Sequence, residues 1–81
     1  MDEVKQTVRK FILSEFLPGE DPNELADSTP LITGGILDSI ATLKLVAFLE
    51  EEYRIEIQAH EADTENLDTI DSIARLVQSK R

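Results

Sequence analysis

Apolar residues recur near the start of the chain with the spacing of one helix face. They follow the steps i, i+4, i+7, i+8 and i+12, at Val4, Val8, Phe11, Ile12 and Phe16. This spacing predicts an amphipathic first helix. Pro18 followed by Gly19 is a stop signal, so we expect the helix to end there.

Positions 18 to 37 lack a helical period. Turn-forming residues interrupt them, at Pro18, Gly19, Pro22, Asn23, Pro30, Gly34 and Gly35. A loop this long is unusual in a small domain unless it is functional or attached to the core. Five apolar side chains are available to attach it: Leu25, Leu31, Ile32, Ile36 and Leu37.

From Asp38 to Tyr53 the chain contains good helix formers and neither Gly nor Pro. Its apolar positions are Ile40, Leu43, Leu45, Val46, Ala47, Phe48, Leu49 and Tyr53. This set is wider than one stripe, which predicts a central helix contacted on more than one side. The acids 50 to 52 point in three directions around it, so we expect a solvated face with Glu50 and Glu51 available to a partner.

The last third predicts shorter elements. Residues 54 to 59 alternate around Ile55 and Ile57, as in an extended connector, and a short helical turn is expected near residues 61 to 66. Asp68 or Thr69 then caps a last helix, whose apolar face is Ile70, Ile73, Ala74 and Val77 and whose end carries Lys80 and Arg81. The whole pattern predicts an all-α fold, a small four-helix bundle of three long helices and one short helix, forming a single domain over residues 1–81.

Composition limits the chemistry that the chain can perform alone. It has no Cys, so any sulfur chemistry requires an added group, and a reducing compartment is suitable. The longest apolar run is residues 45 to 49, and the N-terminus lacks the apolar stretch of a signal peptide. We therefore expect a cytoplasmic protein without a membrane span.

The charge is strongly negative. Seventeen acids and eight bases give a net charge of −9. Between residues 15 and 71 the only bases are Lys44 and Arg54. Such a surface repels phosphate backbones and attracts basic protein patches, so we expect protein partners and no nucleic acid. A monomer is expected for a charged protein of this kind.

Ser39 is the main candidate for chemistry. Asp38 and Ser39 are both preferred N-cap residues, yet one helix start needs only one cap. The Gly34-Gly35 pair permits a tight turn, and Ile36-Leu37 can anchor it so that the serine faces outward. A helix N-terminus favours an anion, so a phosphodiester on Ser39 would be stabilised there. From the residues alone, both the cap and the modified serine stay open.

Catalysis by the chain itself is not indicated. The only imidazole is His60, which we expect in a surface loop, and residues 37 to 41 do not match the Gly-x-Ser-x-Gly elbow. Residues 63 to 68 carry alternate acids, but an EF-hand loop would need Gly where Asp68 stands. We expect no enzyme activity and no metal site.

Three segments together resemble the carrier protein family, which comprises acyl carrier proteins and the related aminoacyl and peptidyl carriers. They are Gly35-Ile36-Leu37-Asp38-Ser39-Ile40, then Leu49-Glu50-Glu51-Glu52-Tyr53 with Ile55-Glu56-Ile57, and Leu67-Asp68-Thr69-Ile70-Asp71-Ser72-Ile73. The resemblance implies that a phosphopantetheinyl transferase attaches 4′-phosphopantetheine from coenzyme A to Ser39. The thiol of that arm would hold acyl or aminoacyl groups as thioesters. Asp38 would serve the cap or a metal ion held by the transferase.

The resemblance also implies a docking surface on the central helix. Its acids would be Asp38, Glu50 and Glu51, and its apolar residues Ile40, Leu43 and Val46. Ala41 and Lys44 stand where fatty-acid carriers usually place exposed acids, which favours other partners. These partners would be an adenylating ligase, an acyltransferase or synthase enzymes with basic docking patches.

Residues 31 to 39 resemble stand-alone carriers that accept amino acids, including D-alanyl carriers, more than they resemble the usual fatty-acid carrier. We therefore expect a discrete carrier in natural-product biosynthesis of the polyketide or nonribosomal peptide type. A D-alanyl or fatty-acid carrier is the alternative within the family. An interaction module in which Asp38 and Ser39 only cap a helix is the alternative outside it.

Overall fold

The computed structural model describes residues 2–17, 19 and 25–81. Within these ranges the chain forms four α-helices and no strand: α1 (Asp2–Phe16), α2 (Ser39–Tyr53), α3 (Thr64–Leu67) and α4 (Ile70–Lys80). A 3₁₀ turn, Ala59–Glu61, precedes α3. The all-α, four-helix prediction is confirmed. Three residues expected to interrupt the loop, Pro18, Pro22 and Asn23, lie outside the described ranges.

The first helix buries the stripe that its sequence predicts. Val4, Val8 and Ile12 are fully buried. Phe11 and Phe16 are half-buried and pack against the core. The ring of Phe11 stacks on Phe48 of α2, with 4.1 Å between the ring centroids. The helix ends at Phe16. It packs against α4, and Phe11 contacts the C-terminal half of α2.

The second helix buries one narrow stripe. Ala41, Leu45 and Leu49 follow the steps i, i+4 and i+8 and are buried. Val46, Phe48 and Tyr53 pack against the core as half-buried side chains, so the predicted contact on more than one side is confirmed for them. It is wrong for Ile40 and Leu43, which are 67% and 66% exposed, and for Ala47, which is also exposed. The expectation of an exposed Ala41 is also wrong, because this residue begins the buried stripe.

The loop before α2 is attached to the core by the predicted residues. Leu25, Leu31 and Leu37 are buried, and Ile32 and Ile36 pack against the core as half-buried side chains. Burial of these apolar groups offsets the conformational entropy that ordering a long loop costs.

Two cations of α1 also hold this loop. Arg9 donates from Nε to the carbonyl of Leu25 over 3.1 Å, and its guanidinium pairs with Asp27. Lys5 lies 2.7 Å from a carboxylate oxygen of Asp71, in the first turn of α4, and 3.5 Å from Asp27. The start of α4, the loop and α1 therefore share one group of ion pairs.

The connector after α2 was predicted to be extended over residues 54 to 59. Residues 55 to 58 belong to no helix or strand and Gln58 has an extended backbone, but the prediction is wrong at its two ends, since Ala59 lies in the 3₁₀ turn. Arg54 ends α2 in the left-handed conformation, with φ of 54°. Ile57 is buried, and its backbone N–H donates to Oε2 of Glu50 over 2.9 Å. The side chain of Glu50 therefore holds the connector against the helix from which it departs.

The last helix begins at its predicted cap. Thr69 is the N-cap, and its Oγ1 accepts from the N–H of Ser72 over 3.0 Å. The buried face comprises Ile70, Ile73, Ala74, Leu76 and Val77, of which Leu76 was not predicted. Lys80 pairs with Glu61 over 2.7 Å. This ion pair fixes the 3₁₀ turn to the end of α4.

The end of α4 also meets the end of α2. The guanidinium carbon of Arg81 lies 5.3 Å from the ring centroid of Tyr53. The hydroxyl of Tyr53 is buried without a hydrogen-bond partner among the described residues. Arg81 therefore interacts with the ring face and leaves the phenol oxygen unpaired.

No helix in the described ranges is both long and apolar enough to span a bilayer.

Candidate functional site at the start of α2

Asp38 is the N-cap of α2. Its backbone is extended, with φ of −90° and ψ of −174°. Its Oδ1 accepts from the N–H of Ala41 over 2.7 Å, which satisfies one of the free amide groups at the helix start. The sequence predicted either Asp38 or Ser39 as the N-cap, and the structure shows Asp38 in this role.

Ser39 is the first residue of α2 and is exposed. Within the described part of the chain its hydroxyl makes no hydrogen bond to protein. Since the cap belongs to Asp38, the hydroxyl has no structural task at the helix start. The interpretation in which Ser39 caps the helix is therefore wrong.

The turn before Ser39 requires both of its glycines. Gly35 has a φ of +82°, a region that residues with a Cβ rarely adopt. A Cβ added at Gly34 would lie 2.2 Å from the carbonyl oxygen of Pro30. The N–H of Leu37 donates to the carbonyl of Leu31 over 2.8 Å and closes the turn. The predicted tight turn is confirmed, with Leu37 buried at its end.

Asp68, which is distant from this turn in the sequence, holds it through hydrogen bonds. Its Oδ1 accepts from the N–H groups of Ile32 and Thr33 over 2.8 and 2.9 Å. Its Oδ2 accepts from the hydroxyl of Thr33 over 2.9 Å. The N–H of Leu31 donates to the carbonyl of Asp68. We call these four contacts the Asp68 clasp.

The clasp favours the charged form of its carboxyl group. Donation from the N–H of Thr33, followed by its hydroxyl and the N–H of Ile32, holds the pKa of Asp68 below its usual value of 3.8. The sequence suggested Asp68 only as a helix cap. The clasp joins residues 35 and 36 positions apart, and local patterns carry no signal for such a contact.

An open groove lies beside Ser39. Its volume is about 540 Å³. One wall is the turn and the first residues of α2, and the other is the start of α3, with the lining residues Ile32, Leu37, Asp38, Ser39, Thr42, Leu43, Ala62, Asp63 and Thr64. The side chain of Asp63 caps α3 by accepting from the N–H of Asn66 over 3.0 Å. A group attached to Ser39 therefore has a partly apolar groove next to it.

The residues expected to form a docking surface differ in exposure. Ile40, Leu43, Lys44 and Glu51 are exposed on α2. Val46 is half-buried and packs against the core. Glu50 is also half-buried, and one of its oxygens is engaged by the N–H of Ile57. Thus four of these six side chains are exposed, and Val46 and Glu50 are exposed in part.

The described residues contain no group of three or more His, Cys, Asp or Glu side chains arranged to hold a metal ion. His60 is exposed in the 3₁₀ turn, which agrees with its predicted position on the surface.

Curated proteins with similar sequences are carriers. A probable acyl carrier protein, PigG, of Serratia sp. (strain ATCC 39006) is 39% identical over 67 residues, which are 83% of this chain and 76% of that protein. The D-alanyl carrier protein of Streptococcus suis (strain 98HAH33) is 32% identical over 71 residues, or 88% of this chain and 86% of that protein. The same protein from strain 05ZYH33 matches to the same extent. No protein-family model matches the chain.

Proposed function

Since the chain belongs to the family of acyl carrier and D-alanyl carrier proteins, we propose that it carries acyl or aminoacyl groups on 4′-phosphopantetheine attached to Ser39. It is a group carrier and a substrate of partner enzymes. Its own residues present the attachment point and provide the surfaces that those enzymes recognise.

One observation carries the proposal: the hydroxyl of Ser39 is exposed, and the neighbouring Asp38 performs the capping that would otherwise occupy it. A transferase can therefore reach the oxygen without uncapping the helix. The same hydroxyl buried in the bundle, or bonded to the backbone, would contradict attachment there.

Two opposite electrostatic effects would act on a phosphodiester at Ser39, because the helix start attracts an anion and the neighbouring carboxylate of Asp38 repels it. Free N–H groups and the positive end of the helix dipole meet at the first turn of α2, where an anion is favoured. The second oxygen of Asp38 stays available for the predicted contact with a metal ion held by the transferase. The groove beside Ser39 would receive part of the arm or its cargo.

The cofactor would supply the chemistry that the chain lacks. When bound, 4′-phosphopantetheine provides a thiol that holds a carboxylic acid as a thioester, and the chain has no Cys of its own. Attachment also raises the effective concentration of the cargo at a docked enzyme.

For the cargo we propose an acyl or aminoacyl group of natural-product biosynthesis, loaded by an adenylating ligase or an acyltransferase. The similar proteins include both a probable acyl carrier and D-alanyl carriers, which supports a stand-alone carrier and keeps D-alanine as the alternative. Monomeric state, cytoplasmic location and a single domain over residues 1–81 stay predictions.

Partner enzymes would dock on the exposed side of α2. Ile40 and Leu43 offer apolar contact area on this helix without loss of core packing, since both are about two-thirds exposed. Glu51 and the free oxygen of Glu50 would meet basic patches, while Lys44 places a positive charge among them. We propose that Lys44 selects partners other than fatty-acid enzymes.

Attachment is tested by incubation with coenzyme A and a broad-specificity phosphopantetheinyl transferase, followed by intact-protein mass spectrometry. We expect the wild type to gain one phosphopantetheinyl group and Ser39→Ala to gain none. Ser14→Ala, which removes an exposed hydroxyl from α1, is the matched control and should be modified like the wild type. An unmodified wild type, or a modified Ser39→Ala variant, overturns the proposal.

Cargo is tested by comparing adenylating ligases of different specificity on the modified protein. We expect thioester formation with a ligase of natural-product biosynthesis and slower loading by a D-alanine ligase, measured as the increase in protein mass. Faster loading by the D-alanine ligase would assign the protein to D-alanyl transfer instead.

A further inference from the structure

We infer that Asp68 is a positioning residue for the modification of Ser39, because its carboxylate holds the turn that leads into α2. This inference rests on the proposed function, since it assigns a role in the reaction by which Ser39 would be modified. Asp68 would act through the turn and would touch neither coenzyme A nor the reacting hydroxyl.

The clasp fixes the turn at three consecutive residues. The N–H groups of Ile32 and Thr33 both donate to one carboxylate oxygen of Asp68, and the N–H of Leu31 donates to its carbonyl. The turn closes when the N–H of Leu37 donates to the carbonyl of Leu31. Asp38, the cap, and Ser39 follow directly, so the clasp sets the point from which α2 begins.

Burial of Leu31 and Leu37 anchors the two ends of the turn, whereas the residues at its tip are held mainly by hydrogen bonds, among them that from the N–H of Gly35 to the carbonyl of Ile32 over 3.1 Å. Thr33, Gly34 and Gly35 are exposed, and the conformational freedom of two adjacent glycines makes an unsupported turn mobile. Without the carboxylate, water would replace it at the two N–H groups, and the turn would populate several conformations. The substrate hydroxyl would then be presented correctly only part of the time.

The clasp also connects the two walls of the groove. Asp68 follows α3 directly, and its N–H donates to the carbonyl of Thr64 over 3.0 Å. Thr64 lines one wall of the groove, while Ile32 and Ser39 line the other. One residue therefore fixes the start of α2 relative to α3, and a transferase that contacts both elements would meet them in a fixed arrangement.

The test compares Asp68→Ala, Asp68→Asn and Asp71→Ala as substrates of the transferase. Asp68→Ala removes every side-chain acceptor. Asp68→Asn keeps a carbonyl oxygen for the two N–H groups and an amide that can donate to the hydroxyl of Thr33. Asp71→Ala is the matched control. It removes an acid from the first turn of α4 and breaks the ion pair of that acid with Lys5 of α1, but it removes no contact of the turn before α2.

A turn that is correctly formed only part of the time reduces apparent affinity by that fraction. We expect Asp68→Ala to raise KM for the carrier about tenfold with little change in kcat, which corresponds to a turn that is correctly formed about a tenth of the time. Asp68→Asn should stay within about twofold of the wild type, as most of the hydrogen bonds are kept. Asp71→Ala should have the wild-type KM even though it is less stable.

A second measurement does not depend on the transferase. Amide hydrogen exchange of Ile32 and Thr33, followed by NMR, should accelerate in Asp68→Ala relative to Asp71→Ala, while amides in the centre of α2 change equally in both. If Asp68→Ala does not fold, Thr33→Val removes only the hydroxyl bond to Oδ2 and should shift KM in the same direction by less.

The outcomes separate this inference from the proposed function. If the wild type is not modified at all, the proposed function fails, and the exchange data still decide whether Asp68 orders the turn. If the wild type and Asp68→Ala are modified with equal KM, the positioning role fails and the carrier role stands. An Asn variant as impaired as the Ala variant also contradicts it, because the hydrogen bonds would then not be the cause.

Discussion

At the scale of single residues, Asp38 and Ser39 divide the work at the start of α2. The carboxylate of Asp38 satisfies the free N–H of Ala41, and the hydroxyl of Ser39 stays exposed. A serine that also capped the helix would lose this contact when 4′-phosphopantetheine was attached, and the helix would be weakened in the modified carrier. Under the proposed function, the arm could therefore be attached without loss of the helix cap.

This division predicts different costs for two neighbouring substitutions. Asp38→Ala should reduce the free energy of unfolding by about 1 kcal/mol, the usual cost of an N-cap. Ser39→Ala should change it by less than about 0.5 kcal/mol, as for an exposed residue without a special contact. Urea denaturation of the unmodified variants measures both. A larger loss for Ser39→Ala would show that its hydroxyl supports the helix.

At the scale of elements, α2 has two different apolar sets. Ala41, Leu45 and Leu49 face the core, while Ile40 and Leu43 face solvent. Exposed aliphatic side chains contribute little to folding through burial, so Ile40 and Leu43 are free to contact another molecule. Under the proposed function, the helix would be both the centre of the fold and a surface for partners.

The two apolar sets should respond differently to truncation. Leu45→Ala should reduce the free energy of unfolding by about 2 to 5 kcal/mol, because it removes a fully buried side chain and leaves a cavity. Leu43→Ala makes the same chemical change two residues away at an exposed position, where about 0.5 kcal/mol or less is expected. Thermal and urea unfolding provide the comparison. Equal losses would mean that Leu43 is packed in solution.

The charge of Lys44 should influence which enzymes the carrier serves. We expect Lys44→Glu to raise kcat/KM with enzymes of fatty-acid synthesis and to lower it with aminoacyl-type partners, because it restores an acid on the docking surface. Lys10→Glu, which reverses an exposed charge on α1, is the matched control and should change neither. Steady-state kinetics with both enzyme classes measure these changes in kcat/KM. An unchanged ratio between the two classes in Lys44→Glu would show that Lys44 does not select partners.

Local patterns were sufficient to predict most elements, since α1, α2 and α4 each have an apolar period and a recognisable start or end. The loop was also predictable from its apolar residues, of which Leu25, Leu31 and Leu37 are buried. Three features were not: the clasp at Asp68, the inward direction of Ala41 and the engagement of Glu50 by Ile57. Each depends on how elements meet in space, and helical spacing alone does not specify that.

At the scale of the whole molecule, the bases at the two ends of the chain balance acids from its interior segments. Lys5 and Arg9 pair with Asp27 and Asp71, and Lys80 pairs with Glu61. These pairs lie on α1, α4 and the segments that they hold. Among the described residues, Glu51 and Glu52 of α2 form no ion pair and are exposed, so their charge is available to attract a basic partner.

These ion pairs predict a stability difference that depends on pH. The hydrogen bond between Lys5 and Asp71 lowers the pKa of Asp71 from its usual 3.8 and raises the pKa of Lys5 from its usual 10.5. The pair therefore stabilises the fold above about pH 4 and below about pH 10. Its contribution is lost in acid as Asp71 is protonated, and in alkali as Lys5 loses its proton.

We expect Asp71→Asn to be less stable than the wild type across neutral pH, with a difference that shrinks as the pH falls below 3.8 and again as it rises beyond 10.5. Urea denaturation at a series of pH values measures this difference. Glu51→Gln, at an exposed acid of α2, is the control. Its difference in stability from the wild type should not show this dependence on pH. A difference that persists unchanged at pH 3 would contradict the ion pair.

The contact between Tyr53 and Arg81 determines what ultraviolet spectroscopy can observe in this protein. The chain contains one Tyr and no Trp, so near-ultraviolet emission originates almost entirely from that phenol ring. The ring lies at the opposite end of α2 from Ser39, about 20 Å away for a helix of this length. Its fluorescence would therefore follow opening of the junction between the ends of α2 and α4, and would be insensitive to chemistry at the serine.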